Sequence, residues 1–160
     1  MNTRDAIKLG LASGEMIGLA YISDLSDDQL MMRPHADCNH INWQIGHIIA
    51  SEHSMIESLK PGCMPSLPTG FADRYTKSTA SNNDASAFAS KEELLTTYRQ
   101  QRDATLAALE TFSDSQFDRT TGVEYAPTAG SMFALLGCHW LMHCGQWVIV
   151  RRTLGKPALF

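Results

Sequence analysis

Apolar residues recur at intervals of three and four in four long stretches of the chain, and this spacing is typical of amphipathic helices. The stretches are separated by polar residues, glycines and prolines, which mark the ends of helices. The pattern predicts four helices, at about Thr3 to Leu25, Asn39 to Leu59 and Ser90 to Phe112, and from Thr128 or Ser131 to Leu154. The predicted fold class is therefore all-α.

Residues near the ends of these stretches indicate where individual helices begin and end. Ser90 and Glu93 have the spacing of a capping box, in which the serine accepts a backbone N–H bond and the glutamate reaches back to the cap. At the end of the fourth helix, Gly155 can adopt the left-handed conformation that closes a helix, and Pro157 blocks further turns. Both signals predict defined helix ends.

The connections predict how the helices are arranged. Lys60–Ala89 is too rich in proline, glycine and polar residues for a regular element, and we expect a long crossover loop there. The other connections are short, which favours antiparallel neighbours, whereas the crossover allows the second and third helices to run parallel. The expected architecture is a four-helix bundle of up-down-down-up topology. Gly10, Gly14 and Gly18 indicate close packing of the first helix.

The composition is that of one ordinary globular domain covering residues 1–160. Apolar residues make up 44% of the chain and charged residues 19%, and no run approaches the roughly 20 apolar residues of a membrane span. Met1–Asp5 contains an acidic residue, and polar residues interrupt the apolar positions that follow, unlike in a secretory signal. We expect a soluble cytoplasmic protein without a membrane partner.

Charge and cysteine spacing narrow the function classes further. The net charge is −4 and basic residues do not cluster, which argues against a nucleic-acid partner because phosphate binding needs a concentrated basic surface. The four cysteines lack C-x-x-C spacing and are expected to be reduced thiols. Arg151 and Arg152 fall in the last turn of the fourth helix, where cations complement exposed carbonyls.

Two histidines share the apolar stripe of the fourth helix. His139 and His143 are four residues apart, so their rings stack on one face about one turn from each other. A single histidine on such a stripe is more often a core residue satisfied by one hydrogen bond. Two imidazoles in a core cannot both carry charge without repulsion, so a shared cation is an economical solution.

A third ligand is expected from another helix at the same depth. His47 is about midway along the second helix, as His139 and His143 are along the fourth. His47 lies beside the isoleucine stripe of its helix together with Trp43 and Ser51, which suggests a polar mouth to the site. Three neutral imidazoles leave positions open for water or substrate, as in a catalytic zinc site.

Other polar residues are weaker candidates. Gln146 follows His143 by one turn and is expected either to orient a ligand histidine or substrate, or to be a buried amide satisfied by backbone. His40 is expected to be solvated near the helix start, or to line the mouth. Glu52 projects toward the isoleucine side, where burial would make it a possible general base, although solvation is the simpler interpretation. Trp140 follows His139, so the H-E-x-x-H arrangement of zinc proteases is missing.

Three segments together resemble the DinB superfamily, also called DinB/YfiT-like metalloenzymes. They are Asn42–Ile48, His139–Gln146 and Arg151–Pro157, the last with a Leu-Gly-x-Pro ending. The resemblance implies an up-down-down-up four-helix bundle, often a homodimer, with zinc, nickel or a similar divalent ion on three histidines. By matching position these are His47, His139 and His143.

The function implied by the resemblance is a metal-dependent transferase or hydrolase that uses a low-molecular-weight thiol such as bacillithiol, mycothiol or glutathione. The expected partner is a small-molecule substrate, for which Trp43, Ser51 and Gln146 are the candidate binding residues. The alternative is a metal-binding or small-ligand-binding module without turnover. A metal-free structural bundle is a third possibility. The sequence names neither the metal nor the substrate, because three imidazoles accept several transition metals.

A further apolar face on the fourth helix suggests a homodimer. Its members lie opposite the histidines and are Ala134, Gly137, Leu141, Gly145 and Val148. A helix that is apolar all round is normally covered on both sides. We expect this face to pack either in a homodimer or under the loop at Lys60–Ala89.

Overall fold

The computed structural model describes residues 1–157 and 159–160, and the regular elements in them are helical. Four long helices are α1 (Thr3–Ile22), α3 (Ile41–Leu59), α4 (Lys91–Glu110) and α6 (Ala129–Thr153), and two short ones are α2 (Asp27–Leu30) and α5 (Asp114–Phe117). The described residues form no strand, and an isolated bridge joins Thr120 to Thr128. The all-α prediction is confirmed.

The ends of the long helices follow from their caps. Ser90 accepts the Glu93 N–H at 3.1 Å, which starts α4 where it was expected. The Glu93 carboxylate does not reach back to the cap. It pairs with Arg74 of the crossover loop at 3.3 Å instead, because the loop brings a guanidinium beside it.

Gly155 closes α6 as predicted. Its φ of +70° places it in the left-handed region that favours glycine. The Gly155 N–H donates to the Arg152 carbonyl and the Lys156 N–H to the Arg151 carbonyl. This pair of bonds is a Schellman motif, which satisfies carbonyls that the helix itself cannot.

The sequence pattern missed the two short helices. The Ser26 hydroxyl caps α2 by accepting the Gln29 N–H, and at α5 the Gln116 side chain accepts the Ser113 N–H at 2.8 Å. Each helix has only four residues, which is too short for a 3.6-residue apolar repeat to show. The cap signature was their only marker in the sequence.

The crossover between α3 and α4 contains short structure of its own. Three 3₁₀ turns lie at Ala72–Tyr75, Lys77–Thr79 and Ala85–Ala87. Phe71 and Tyr75 are buried, and the Tyr75 ring lies where a Cβ on Gly46 of α3 would be. The Tyr75 hydroxyl also accepts the Ala89 N–H at 3.0 Å. The loop is therefore packed onto α3 rather than free in solvent.

Close glycine contacts join α1 to α6. A Cβ on Gly14 would lie 2.6 Å from the Gly137 carbonyl oxygen, and one on Gly18 would overlap the Trp140 ring. Because higher residue numbers in α1 meet higher numbers in α6, these two helices run in the same direction. The prediction of close packing is confirmed for Gly14 and Gly18, whereas a Cβ on Gly10 would meet nothing within 4 Å.

Side-chain contacts give the relative directions of the other helices. Glu52 of α3 pairs with Arg102 of α4, and Asn42 donates to the carbonyl of Ala89 just before α4, so α3 and α4 run parallel. Gln44 contacts Gln146 whereas Ser58 contacts Met132, so α3 and α6 run antiparallel. These directions are compatible with an up-down-down-up order.

The helices enclose two apolar clusters, one around Trp140 and Trp147 and one around Phe112 and Phe133. Helix α6 contributes to both. It is long and apolar enough to cross a membrane by length and composition, but a central helix of a bundle has the same properties. Its two buried tryptophans are explained by that central position.

Arg151 has a role beyond the one expected. It is 1% exposed, and its guanidinium donates to the Tyr21 carbonyl at 2.8 Å and to the Asp24 carboxylate at 2.5 Å. Arg151 therefore joins the end of α6 to the chain after α1, whereas Arg152 is exposed. Arg151 lies in the last turn of α6 as expected, and it is buried as well because α1 runs alongside and brings Tyr21 and Asp24 to it.

Candidate metal centre

Three imidazole rings converge between α3 and α6. Nitrogen atoms of His47, His139 and His143 all lie within 4.8 Å of one another. His143 is buried and the other two are half-buried. The α6 pair meets because residues four apart share a helix face, and His47 reaches it because α3 crosses α6 at that depth. The structure thus brings together the three histidines named from the sequence.

The spacing of the ring nitrogens fits a shared cation. His139 Nε2 and His143 Nε2 are 3.2 Å apart. Two imidazoles on a tetrahedral zinc, with bonds of about 2.0–2.1 Å, would place their nitrogens about 3.3 Å apart. The donor set also suits zinc, nickel and related ions. The residues present therefore fit a divalent metal ion.

Gln44 of α3 determines which nitrogen of His143 is available. The Gln44 Oε1 accepts the Trp147 indole N–H at 2.8 Å and lies 2.9 Å from His143 Nδ1. Its Nε2 donates to the Asn39 carbonyl and to Gln146 Oε1, which settles the orientation of the amide. His143 Nδ1 must then carry the proton, so the Nε2 lone pair faces His139 and the site.

Trp43 supports the third ligand. Its ring stacks on that of His47, with centroids 5.0 Å apart and planes 10° from parallel. The indole N–H donates to Thr79 Oγ1 at 3.1 Å, so the crossover loop holds the tryptophan in place. Trp43 is 5% exposed, and its stacked ring limits the rotation of the His47 ring.

All three rings are held neutral at ordinary pH. Burial, followed by the nearby His139 and His47, lowers the pKa of His143 to about 3. Burial and the neighbouring His47 lower the pKa of His139 to about 4, and burial lowers the pKa of His47. Neutral imidazole is the form that binds metal, so the ring nitrogens are ready to coordinate.

A groove of about 270 Å³ opens beside the cluster. Its walls are the two half-buried ligand histidines and five further side chains, Ser51, Met55, Tyr125, Leu135 and Met142. Tyr125 and Met142 are 71% and 61% exposed, so they form the rim. The groove gives a small molecule access to the side of the cluster formed by His47 and His139.

The residues expected to bind substrate occupy three different places. Ser51 lines the groove. Trp43 lies behind His47, and Gln146 contacts Gln44 at 3.0 Å, so both are next to supporting groups and neither lines the groove. Gln146 bonds to Gln44, and Gln44 bonds to His143. Gln146 therefore supports the ligand histidine indirectly.

Two weaker candidates lie elsewhere. His40 is fully buried, and its Nδ1 caps α3 by accepting the Trp43 N–H at 3.0 Å, so neither the solvated nor the mouth position is correct. Burial and the nearby Arg33 lower the pKa of His40 to about 4. Glu52 is 1% exposed and pairs with Arg102 at 2.8 Å, inside the core and away from the groove walls.

Sequence reasoning missed Gln44. The signal was present as a polar residue in the mainly apolar segment from Ile41 to Ile49, three positions before His47. A buried amide needs partners, but the sequence does not say that those partners are a ligand histidine and a tryptophan 99 and 103 positions away.

An all-helical bundle with three converging histidines and an adjoining groove defines a class of candidate metal-binding proteins. The model of the DinB superfamily matches residues 16–147. Because this covers most of the chain, the protein belongs to the DinB superfamily. Searches of curated proteins and of solved structures found no match.

Proposed function

We propose that the protein binds one divalent cation through His47, His139 and His143 and uses it in a transfer or hydrolysis reaction on a small molecule. The observation that supports this best is the convergence of three neutral imidazoles, one with its tautomer set by Gln44. The groove beside them provides space for a substrate. A purely structural site would have no need of such an opening.

The side chains have separate roles in this proposal. The three imidazoles hold the cation, Gln44 orients His143, and Trp43 restricts the ring of His47. The Ser51 hydroxyl on the groove wall is placed to donate a hydrogen bond to a bound molecule. A divalent cation at this point would supply the positive charge that keeps a thiol or water deprotonated near neutral pH.

Zinc or nickel is the proposed cation, and a low-molecular-weight thiol is the proposed co-substrate of a transferase. The alternative is a module that binds a metal or a small ligand without turnover. The open groove favours a reaction over simple storage, because it exposes the cluster to a second molecule. We propose a cytoplasmic location, where free thiols are abundant.

Metal content tests the first part of the proposal. Purified protein should contain about one equivalent of a transition metal, and a chelator should lower the melting temperature. A cation at a hundred times its dissociation constant stabilises the fold by about 2.7 kcal/mol. His139→Ala and His143→Ala should remove both effects, whereas His35→Ala should not, because the His35 side chain is 71% exposed and outside the cluster. A wild-type protein without metal affinity would overturn the proposal.

An activity screen tests the second part. Thiols are paired with electrophiles, and the reaction rate of the metal-loaded protein is compared with that of His143→Ala at equal protein concentration. We expect at least one pair to react only with the loaded wild-type protein. Metal binding without any such reaction would support the non-catalytic alternative.

We also propose a homodimer formed through α6. Of the face opposite the histidines, Gly137 is buried against α1 and Val148 is half-buried, while Ala134, Leu141 and Gly145 remain exposed. The neighbouring Ile149 is 47% exposed. The crossover loop does not cover this surface. Sedimentation should show a dimer that Leu141→Glu dissociates, and a wild-type monomer at micromolar concentration would exclude it.

A further inference from the structure

Arg33 lies between α2 and α3, and its half-buried guanidinium bonds to two separate segments of the chain. On the side of α3, Nη1 donates to the Cys38 carbonyl at 2.6 Å. On the side of the crossover loop, Nη2 donates to the carbonyls of Ala80 and Asn82 at 2.9 and 3.1 Å, and Nε donates to Asn83 Oδ1 at 2.9 Å. One planar guanidinium therefore joins the crossover loop to the residues just before α3.

The bond to Cys38 continues to one of the ligand histidines. Asn39 is the next residue, and its carbonyl accepts Gln44 Nε2 at 2.7 Å. The other end of the same amide, Oε1, lies 2.9 Å from His143 Nδ1. Because the position of this amide depends on the Asn39 carbonyl, Arg33 supports His143 by fixing the residue next to that carbonyl.

The bond to Ala80 continues to a second ligand histidine on the other helix. Thr79 is the residue before Ala80, and its hydroxyl accepts the Trp43 indole N–H at 3.1 Å. The Trp43 ring stacks on that of His47, with the ring planes 10° from parallel. The loop carbonyl that Arg33 holds is therefore one residue away from the group that anchors this stacked pair.

Building on the proposed function, we infer that Arg33 is a positioning residue that supports two of the three ligand histidines, one on each helix. One chain of contacts reaches His143 and the other reaches His47. The charge of the guanidinium does not favour the site, because it repels a divalent cation. Its contribution is geometric, since the guanidinium reaches oxygens of both segments at once and the single ammonium of a lysine does not.

The sign of the change in zinc affinity tests this inference. In Arg33→Met, loss of positioning should weaken zinc binding by roughly tenfold, the low end for groups that support ligand histidines. Loss of a positive charge alone would strengthen zinc binding instead. Arg33→Lys keeps the charge but not the paired bonds, so it should weaken binding as well. Competition with a chelating dye measures the affinity, and wild-type or tighter affinity in both folded variants overturns the inference.

Arg119→Met is the matched control for general loss of stability. The Arg119 guanidinium also donates to a backbone carbonyl of α3, that of Leu59, but Leu59 is the last residue of the helix. This substitution should lower the free energy of unfolding and leave zinc affinity unchanged. An equal loss of zinc affinity in Arg33→Met and Arg119→Met would show that destabilisation is the cause, and would overturn the inference.

The indole N–H signals of the three tryptophans test both chains of contacts in metal-free protein by NMR. The Trp43 N–H bonds to the crossover loop, and the Trp147 N–H bonds to the amide that orients His143. Trp140 packs against α1 and belongs to neither chain. In Arg33→Met the signals of Trp43 and Trp147 should move and that of Trp140 should stay. Such shifts support the inference even if the wild type binds no zinc and the proposed function fails, whereas unmoved signals overturn it.

Discussion

At the scale of single residues, Gln44 connects the ligand histidine His143 to Trp147, Asn39 and Gln146. One amide oxygen accepts from both His143 and Trp147, and the amide nitrogen is committed to the Asn39 carbonyl and Gln146. Such an arrangement leaves the imidazole a single tautomer and little rotational freedom. Residues that orient metal-binding histidines in this way typically contribute substantially to metal affinity.

Replacing Gln44 with leucine should weaken metal binding by about 10- to 100-fold. The Nδ1–H of His143 and the indole N–H of Trp147 would both lose their acceptor, and each buried unpaired donor costs about 1–3 kcal/mol of stability. Competition with a chelating dye measures the affinity. Gln100→Leu is the control, because Gln100 is exposed on α4. A folded Gln44→Leu protein with wild-type metal affinity would show that the amide does not position the ligand.

At the scale of secondary-structure elements, the contact between α1 and α6 decides where α6 presents its histidines. Gly14 and Gly137 allow the two backbones to approach until a Cβ on either would meet a carbonyl oxygen of the other helix. Arg151 fastens the far end of α6 to Asp24. The face of α6 that carries His139 and His143 is therefore turned toward α3 by contacts on its opposite side.

Alanine at two positions of α1 should have opposite effects on the free energy of unfolding. A Cβ on Gly14 would lie 2.6 Å from the Gly137 carbonyl oxygen, so Gly14→Ala must push the helices apart, at a cost of about 1–3 kcal/mol. A Cβ on Gly10 meets nothing within 4 Å, so Gly10→Ala should gain up to about 1 kcal/mol from helix propensity. Urea unfolding measures both. Equal effects of the two substitutions would contradict the close contact.

At the scale of the whole molecule, burial of neutral histidines couples folding to pH. The pKa of His139 and that of His40 are lowered from 6.5 to about 4 and the pKa of His143 to about 3. Between these values and 6.5 the unfolded chain binds protons that the folded chain does not. Stability is then complete above about pH 6.5 and declines as the pH falls toward 4.

Metal-free protein should accordingly lose stability steadily between about pH 6.5 and pH 4, as measured by urea unfolding at several pH values. His139→Asn should reduce the slope, because one group fewer takes up a proton on unfolding. Gln100→Leu should not change it, since Gln100 is exposed on α4 and does not titrate. A wild-type protein whose stability rose as the pH fell from 6.5 to 4 would contradict the conclusion that these histidines are buried and neutral.

Much of the fold could be predicted from local pattern. The four long helices, the Ser90 cap, the Gly155 terminus and the close packing of α1 follow from periodicity and from the conformational preferences of single residues, which depend on near neighbours in the chain. The short helices α2 and α5 were not predicted, because four residues are too few to show the helical repeat of apolar positions. The burial of Arg151 was not predicted, because it depends on Asp24, a partner 127 positions away.

The histidines themselves were identifiable, because two imidazoles at a spacing of four must share one face of a helix. The amino-acid sequence by itself determined the four long helices and which histidines could bind a cation. Only the tertiary structure decided that α3 crosses α6 at the level of His47, that Gln44 rather than Gln146 contacts His143, and that a groove opens beside the cluster. Helix formation is governed by interactions within a few residues, whereas the meeting of side chains from separate helices depends on how the whole core packs.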